Sequence, residues 1–279
     1  LVPLKVISSR QNPFIKRVAE LKEKKLRQQE GVFVIEGEKE MLLARANGVI
    51  LESIIYCPEL MPANHQLKNI ADIESRLDRA AEKDPLNLVE VTPAVYAKIA
   101  YRQQSCGLIA VAKMPQRQIS ELTLKANPLI LVIEGVEKPG NLGALLRTAD
   151  GAGVDAVVIC DTAVDLYNPN VIRGSLGAIF TVKVFVLALE EAINYLKSKA
   201  IRLIFTSPTA ELPYSQVDYT GPTAIVLGSE KEGLPRPWLE TEILQVKIPM
   251  RGQMDSLNVS CSGAVMLYEA QRQRSRPGK

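Results

Sequence analysis

The chain has one histidine, His65, in the polar stretch PANHQ, and four scattered cysteines, Cys57, Cys106, Cys160 and Cys261, with no CxxC spacing. A metal site, a Ser-His-Asp triad and a histidine general base are therefore not expected. Chemical capacity has to come from other groups, and Arg147 stands out. It lies in EGVEKPGNLGALLRTADGAGVDAVVI, residues 134–159, off the apolar face made by Leu142, Leu145, Leu146 and Ala149. A long helical side chain leans toward the N-terminus of its helix. Arg147 is thus expected to lean over Gly143 toward the loop at Asn141. A guanidinium is a fixed positive charge with five donors, suited to an anion rather than to taking up a proton. The alternative is a solvated arginine paired with Asp150 at i+3.

The elements that must position this residue follow from the same stretch. The apolar run at 129–133 reads as a buried strand. Pro139 and Gly140 break the chain, Asn141 is expected to cap a helix over 141–151, and Gly151 and Gly153 can close it in a left-handed turn. A second buried strand follows at 156–159. Further strands are expected at 181–185, 203–206, 223–227 and 244–248, with helices near 169–176, 189–198 and 257–273. Alternation of this kind predicts an α/β fold with a parallel sheet. Two more turns, GSEKEGL at 228–234 and PMRGQMDSLN at 249–258, also follow apolar strands and are dense in small and polar residues. Each alone is ordinary turn chemistry. All three at the carboxyl ends of parallel strands would share one edge, where ligands bind in such sheets.

Three other motif readings fail on context. No Gly-Lys-Ser/Thr follows the glycines, so there is no Walker loop. The pattern from Gly151 to Ala156 follows a helix and precedes a strand, the reverse of a dinucleotide fingerprint. Gly140-Asn-Leu-Gly143 fits a KH-type GXXG only as a four-letter coincidence.

Ahead of this region, residues 1–113 read as a smaller α/β domain. A basic amphipathic helix is expected over 12–29, striped by Phe14, Ile15, Val18 and Leu21. Strands are expected at 32–35, 53–56, 88–91 and 108–112, and helices at 38–46, at 66–81 and from Thr92-Pro93. A polar stretch, 114–128, is the linker, and 129–279 is the second domain. Residues 1–30 hold eight Lys or Arg against three Glu, and Arg272, Arg274, Arg276 and Lys279 make the other end basic, on a chain of net charge +3. Basic ends on a near-neutral body suit a polyanion; the alternative is solvated helix faces. No apolar run is long enough to span a membrane, and the start does not read as a signal peptide. The scattered thiols suit a reducing, cytoplasmic compartment.

Taken together, NLGALLRTADGAGVDAVVI, IVLGSEKEGL and IPMRGQMDSLNVSCSGAVMLYEA resemble, in order, the three motifs of the SpoU/TrmH family of RNA ribose 2′-O-methyltransferases, over about residues 129–273. SSRQNPFIKRVAEL and GVFVIEGEKEMLLA resemble the substrate-binding domain, similar to a ribosomal protein fold, that rRNA-directed members carry. The resemblance implies a trefoil knot in the C-terminal domain, S-adenosylmethionine bound in it, and a homodimer. It also implies an RNA substrate, with large-subunit rRNA favoured over tRNA. By position, Gly228, Ile248 and Leu257 match residues whose backbone holds the methyl donor, with Thr206, Leu227 and Met250 as pocket neighbours. Asn141, Arg147, Glu230, Ser256 and Asn258 match the polar set at the reacting centre. Arg173, in NPNVIRGSLGA, matches a basic position facing RNA; Arg10, Lys16 and Arg17 of the basic N-terminal segment are the other RNA contacts. The family more often has alanine at Gly174 and alanine-rich variants around Cys261-Ser-Gly, and 103–106 is less typical. The family proposal makes Arg147 the proton acceptor. The form favoured on physical grounds has it bind a phosphate and stabilise the developing alkoxide. Asn141 would orient Arg147 or the ribose, Ser256 and Asn258 would hold loop and nucleotide, and Glu230 would brace the second and third turns. The rivals are a non-catalytic RNA-binding or ribosome-assembly protein and a tRNA methyltransferase.

Overall fold

A computed structural model describes residues 5–62, 86–102, 106–136, 138–160 and 165–275. His65, the helix expected at 66–81, Gln103 to Ser105, Arg276 and Lys279 lie outside the described residues. The strands are β1 (Lys5–Ile7), β2 (Val32–Glu36), β3 (Leu51–Tyr56), β4 (Asn87–Val91), β5 (Leu108–Lys113), β6 (Leu129–Glu134), β7 (Ala156–Cys160), β8 (Val184–Leu187), β9 (Arg202–Thr206), β10 (Thr223–Leu227) and β11 (Ile243–Val246). The α-helices are α1 (Pro13–Glu20), α2 (Lys24–Glu30), α3 (Glu38–Ala46), α4 (Pro93–Ile99), α5 (Pro139–Gly151), α6 (Pro169–Gly174), α7 (Ala178–Thr181), α8 (Leu189–Ser198), α9 (Arg236–Leu239) and α10 (Val259–Arg274). The chain forms two compact units, Leu1–Gln116 with Leu166–Thr181, and Arg117–Asp165 with Val182–Lys279.

The first unit is built on a five-stranded mixed sheet ordered β1-β4-β3-β5-β2, with β5 antiparallel to both its neighbours. The basic stretch expected as one helix is two, α1 and α2. Asn12 caps α1, its Oδ1 accepting the Phe14 N–H at 2.9 Å ahead of Pro13 at the first helical position. The helix stops because the buried Arg27 folds back and donates to the carbonyls of Leu21 and Lys22. Those carbonyls would otherwise need a continuing helix or water. Ile15, Val18 and Leu21 are buried as the stripe predicts, and Phe14 is only partly so. The segment 166–181 falls in sequence between β7 and β8 but packs in this unit. The Phe33 ring lies 4.5 Å from that of Tyr167 and 6.0 Å from that of Phe180.

The second unit is a six-stranded, wholly parallel sheet ordered β11-β9-β10-β6-β7-β8. β6, β7 and β10 are buried along their whole length, which explains their unbroken Val/Ile/Leu runs. The chain runs outward from β6 through β7 to β8, then returns to build the other half beside β10. The carboxyl ends of β6 and β10 therefore adjoin at a topological switch point, where a crevice forms. On one face α10 packs on α5 so closely that a Cβ on Gly263 would lie 2.5 Å from Leu145 Cδ2. On the other, Trp238 of α9 is buried and donates through Nε1 to Glu134 Oε2 at 3.0 Å. β8 begins three residues later than expected, because the segment before it is helical.

Candidate functional site

The first turn leaves β6 and enters α5. Asn141, expected as the cap, stands instead inside the first turn, its N–H bonded to the Lys138 carbonyl at 3.0 Å. Lys138 occupies the cap position, followed by Pro139, whose fixed φ already starts the helix and which has no N–H to leave unpaired. The Asn141 side chain is thereby released, and its Nδ2 donates to Glu230 Oε1 at 2.6 Å. The far end of α5 closes as expected: Gly153 adopts φ 64° and Val154 N–H reaches the Ala149 carbonyl at 3.1 Å.

The second turn leaves β10 as a narrow loop. Ser229 and Gly233 exchange backbone bonds of 2.9 and 3.1 Å, and Ser229 Oγ accepts the Glu232 N–H at 3.0 Å. A Cβ on Gly228 would lie 2.4 Å from the Gly233 carbonyl carbon, so only glycine fits. This loop presents Glu230 toward the first turn. The third turn ends at Asn258, which caps α10: Oδ1 accepts from Ser260 N–H at 3.0 Å and from Ser260 Oγ at 2.6 Å. Its Nδ2 donates to Glu230 Oε1 at 3.1 Å and to Asn141 Oδ1 at 3.3 Å. Lys138 Nζ donates to Glu230 Oε2 at 3.0 Å. One carboxylate thus ties all three turns together, one turn more than the brace expected of Glu230.

Beside this cluster lies a cleft of about 700 Å³. Its apolar walls come from Phe205, Leu227, Ile248, Met250 and Leu257, and Thr206, Gly228, Glu230, Ser256 and Asn258 also line it. All six expected donor-pocket residues therefore border one cavity. Its size and its mix of apolar wall and few polar groups are those of a small-molecule site. Apolar walls suit the adenosyl part of S-adenosylmethionine, and the carboxylate of Glu230 suits its sulfonium charge. Ser256 is exposed and donates to Asp255 Oδ1 at 3.2 Å. Arg147 is exposed on α5, is not part of the cleft wall, and has no hydrogen bond or ion pair among the described residues. Lys138 borders the cleft, and sequence reasoning missed it; a lysine directly ahead of Pro-Gly-Asn was the available signal.

In the first unit the four expected RNA contacts differ in state. Lys16 and Arg173 are exposed. Arg10 Nε is spent on the Ala94 carbonyl at 2.8 Å. Arg17 pairs with Glu30 at 2.6 Å and approaches Glu52 at 3.7 Å. Among the described residues no group of three or more His, Cys, Asp or Glu could hold a metal ion, and no helix is long and apolar enough to cross a membrane.

Residues 128–268 match the SpoU rRNA Methylase family, and residues 12–110 match the MRM3-like substrate binding domain. The chain is 42% identical over 203 residues to the 23S rRNA (guanosine-2′-O-)-methyltransferase RlmB of Ralstonia nicotianae, over 71% of this chain and 81% of that protein. It is 41% identical to a crystallised RNA 2′-O ribose methyltransferase, with a TM-score of 0.80 over 96% of this chain and 99% of that one. An AdoMet-bound rRNA methyltransferase from Sinorhizobium meliloti shares the fold, with a TM-score of 0.84 at 24% identity over 96% of this chain and 98% of that one. The chain, with its three polar turns gathered at one end of a parallel sheet, belongs to the SpoU rRNA methylase family.

Proposed function

We propose that this protein transfers a methyl group from S-adenosylmethionine to a ribose 2′-hydroxyl of RNA, with large-subunit ribosomal RNA as substrate. The observation that carries the proposal is the knitting of Asn141, Glu230 and Asn258 beside a donor-sized cleft at the sheet's switch point. The R. nicotianae relative, named for 2′-O-methylation of 23S rRNA, supports the choice of substrate.

The donor, when bound, supplies a methyl group made electrophilic by a sulfonium. Backbone groups at Gly228, Ile248 and Leu257 hold it, with Thr206, Leu227 and Met250 as walls. Arg147 keeps its charge throughout. It binds a phosphate next to the target ribose and stabilises negative charge on the 2′-oxygen as the hydroxyl proton passes to solvent and the oxygen attacks. Asn141 orients the ribose, Ser256 and Asn258 hold the nucleotide, and Glu230 keeps the three turns in register. Alignment of oxygen and methyl group supplies much of the acceleration.

Residues 1–113 act as the RNA-binding domain, joined by the segment 166–181 that packs with them, with 114–128 as linker and the rest of 129–279 as the catalytic domain. Lys16 and Arg173, with Arg10 and Arg17 offering their remaining donors, make salt-sensitive phosphate contacts. The reading includes a trefoil knot, supported by the packing of α10 back onto α5, and a homodimer. Apolar Met254, Leu257 and Tyr268, left open on the third turn and α10, support the dimer. Free thiols at all four cysteines fit a cytoplasmic setting.

Calorimetry with S-adenosylmethionine, followed by methyl transfer to total rRNA and total tRNA, tests this. Donor binding with label entering rRNA is expected. No donor binding would point to a non-catalytic RNA-binding protein, and label in tRNA alone would move the substrate.

A further inference from the structure

We propose that Lys138 binds a phosphate of the RNA strand beside the ribose to be methylated, and that Glu230 is the positioning residue that holds it there. Lys138 has this role only if the cleft is the donor site, as read above.

Lys138 borders the cleft and immediately precedes α5, the helix that carries Arg147. Its side chain is 70% exposed, so the ammonium stays on the solvent side, where a polymer has to approach. An ammonium has three donors. One goes to Glu230 Oε2 at 3.0 Å, which leaves two for a ligand. The carboxylate divides its work: Oε1 takes Asn141 and Asn258, and Oε2 takes Lys138. An ion pair this exposed contributes little to stability. What it does is fix direction, because a free lysine spreads over many rotamers. Lys231 also borders the cleft, but among the described residues no bonded partner directs it. The cation held at the mouth is therefore Lys138, and a phosphodiester is the anion that reaches the mouth without entering the cleft.

The test uses the full chain and the variants Lys138→Met, Lys138→Arg and Glu230→Gln. The glutamine keeps an acceptor for Asn141 and Asn258 and turns an amide donor toward Lys138. Donor affinity is read by calorimetry, and methyl transfer to rRNA is followed against RNA and salt concentration. Lys138→Met is expected to raise the KM for RNA about tenfold, the loss of one charge-assisted bond. It should leave kcat and donor affinity near wild type. The slope of log RNA affinity against log salt should flatten by about 0.7, one phosphate on a single strand. Lys138→Arg should restore most of this, and Glu230→Gln should raise KM with Lys138 intact. Wild-type KM and salt slope in Lys138→Met overturn the inference while the methyltransferase reading stands. Weakened donor binding in Lys138→Met also overturns it, because Lys138 would then hold the donor's carboxylate. A wild-type protein that binds no donor or methylates no RNA removes the reading underneath.

Discussion

Asn258 Nδ2 lies 3.3 Å from Asn141 Oδ1 across 117 residues of chain. Through its other side-chain atom the same Asn258 caps α10. One amide thus locks the start of α10 to the start of α5, and both helices turn their positive ends toward Glu230. Glu230 is held between two helix N-termini and a lysine, which fixes its place in the cleft wall.

Separate substitutions of Asn258 divide these two jobs. Asn258→Asp keeps an acceptor for the cap but replaces the donor with a carboxylate facing Glu230. Thermal stability should stay close to wild type, while methyl transfer falls at least about tenfold, the effect of losing a bond to a charged group. Asn258→Ala loses the cap as well and should cost about 1 kcal/mol. Melting curves and a methyl-transfer assay check both, and an Asp variant as active as wild type would show the bridge to be dispensable.

Arg147 carries the charge that the proposed mechanism needs and has no hydrogen bond or ion pair among the described residues. Arg147→Ala should abolish methyl transfer with donor affinity unchanged, since Arg147 is not part of the cleft wall. Arg147→Lys should recover only part, because a point charge replaces a planar fork. Near-normal turnover in the alanine variant would remove Arg147 from both proposed roles.

Burial was readable where it is local. β10 falls at both expected bounds because a wholly buried run, Thr223–Leu227, ends at Gly228. α3 likewise matches, closed by Asn47-Gly48. β1 was not readable: a strand of three residues carries no period, and parallel pairing with β4 makes it. The break between α1 and α2 depends on where one arginine folds, which charge patterning cannot show. Asn141 looked like a cap because its type suits one, but its partner is 89 residues away. Lys138 was missed for the same reason, with Glu230 at a separation of 92. Pattern gives each turn its composition; only strand order brings the turns together.

The second turn offers a steric test. In Gly228→Ala the new Cβ would meet Gly233 backbone at 2.4 and 2.5 Å, atoms that cannot swing away. The loop must shift, at a cost of about 1–3 kcal/mol, and Glu230 shifts with it. Donor affinity and methyl transfer should both fall. Gly140→Ala is the matched control, since nothing lies within 4 Å of its Cβ and its backbone is helical. It should leave donor affinity unchanged. Equal effects in the two variants would separate the Gly228 contact from donor binding.

The first unit holds a buried carboxylate whose protonation should be visible in stability. Glu36 is 7% exposed; its Oε2 accepts the N–H groups of Tyr101 at 2.8 Å and Arg102 at 3.1 Å. Its Oε1 is buried with no hydrogen-bond partner among the described residues. Burial pushes the carboxyl above its ordinary 4.5, and the two backbone bonds, with Arg102 and Arg173 nearby, oppose that only in part. The folded protein therefore holds this proton more tightly than the unfolded chain. The stabilisation is complete below the ordinary value and is lost as pH rises through the raised one. Glu36→Gln removes the titration but keeps an acceptor for both N–H groups. Urea midpoints compared from about pH 4 to about pH 8 should move in the variant's favour as pH rises, then level off. A constant difference, or one that favours wild type at higher pH, would mean that the backbone bonds and arginines outweigh burial at this site.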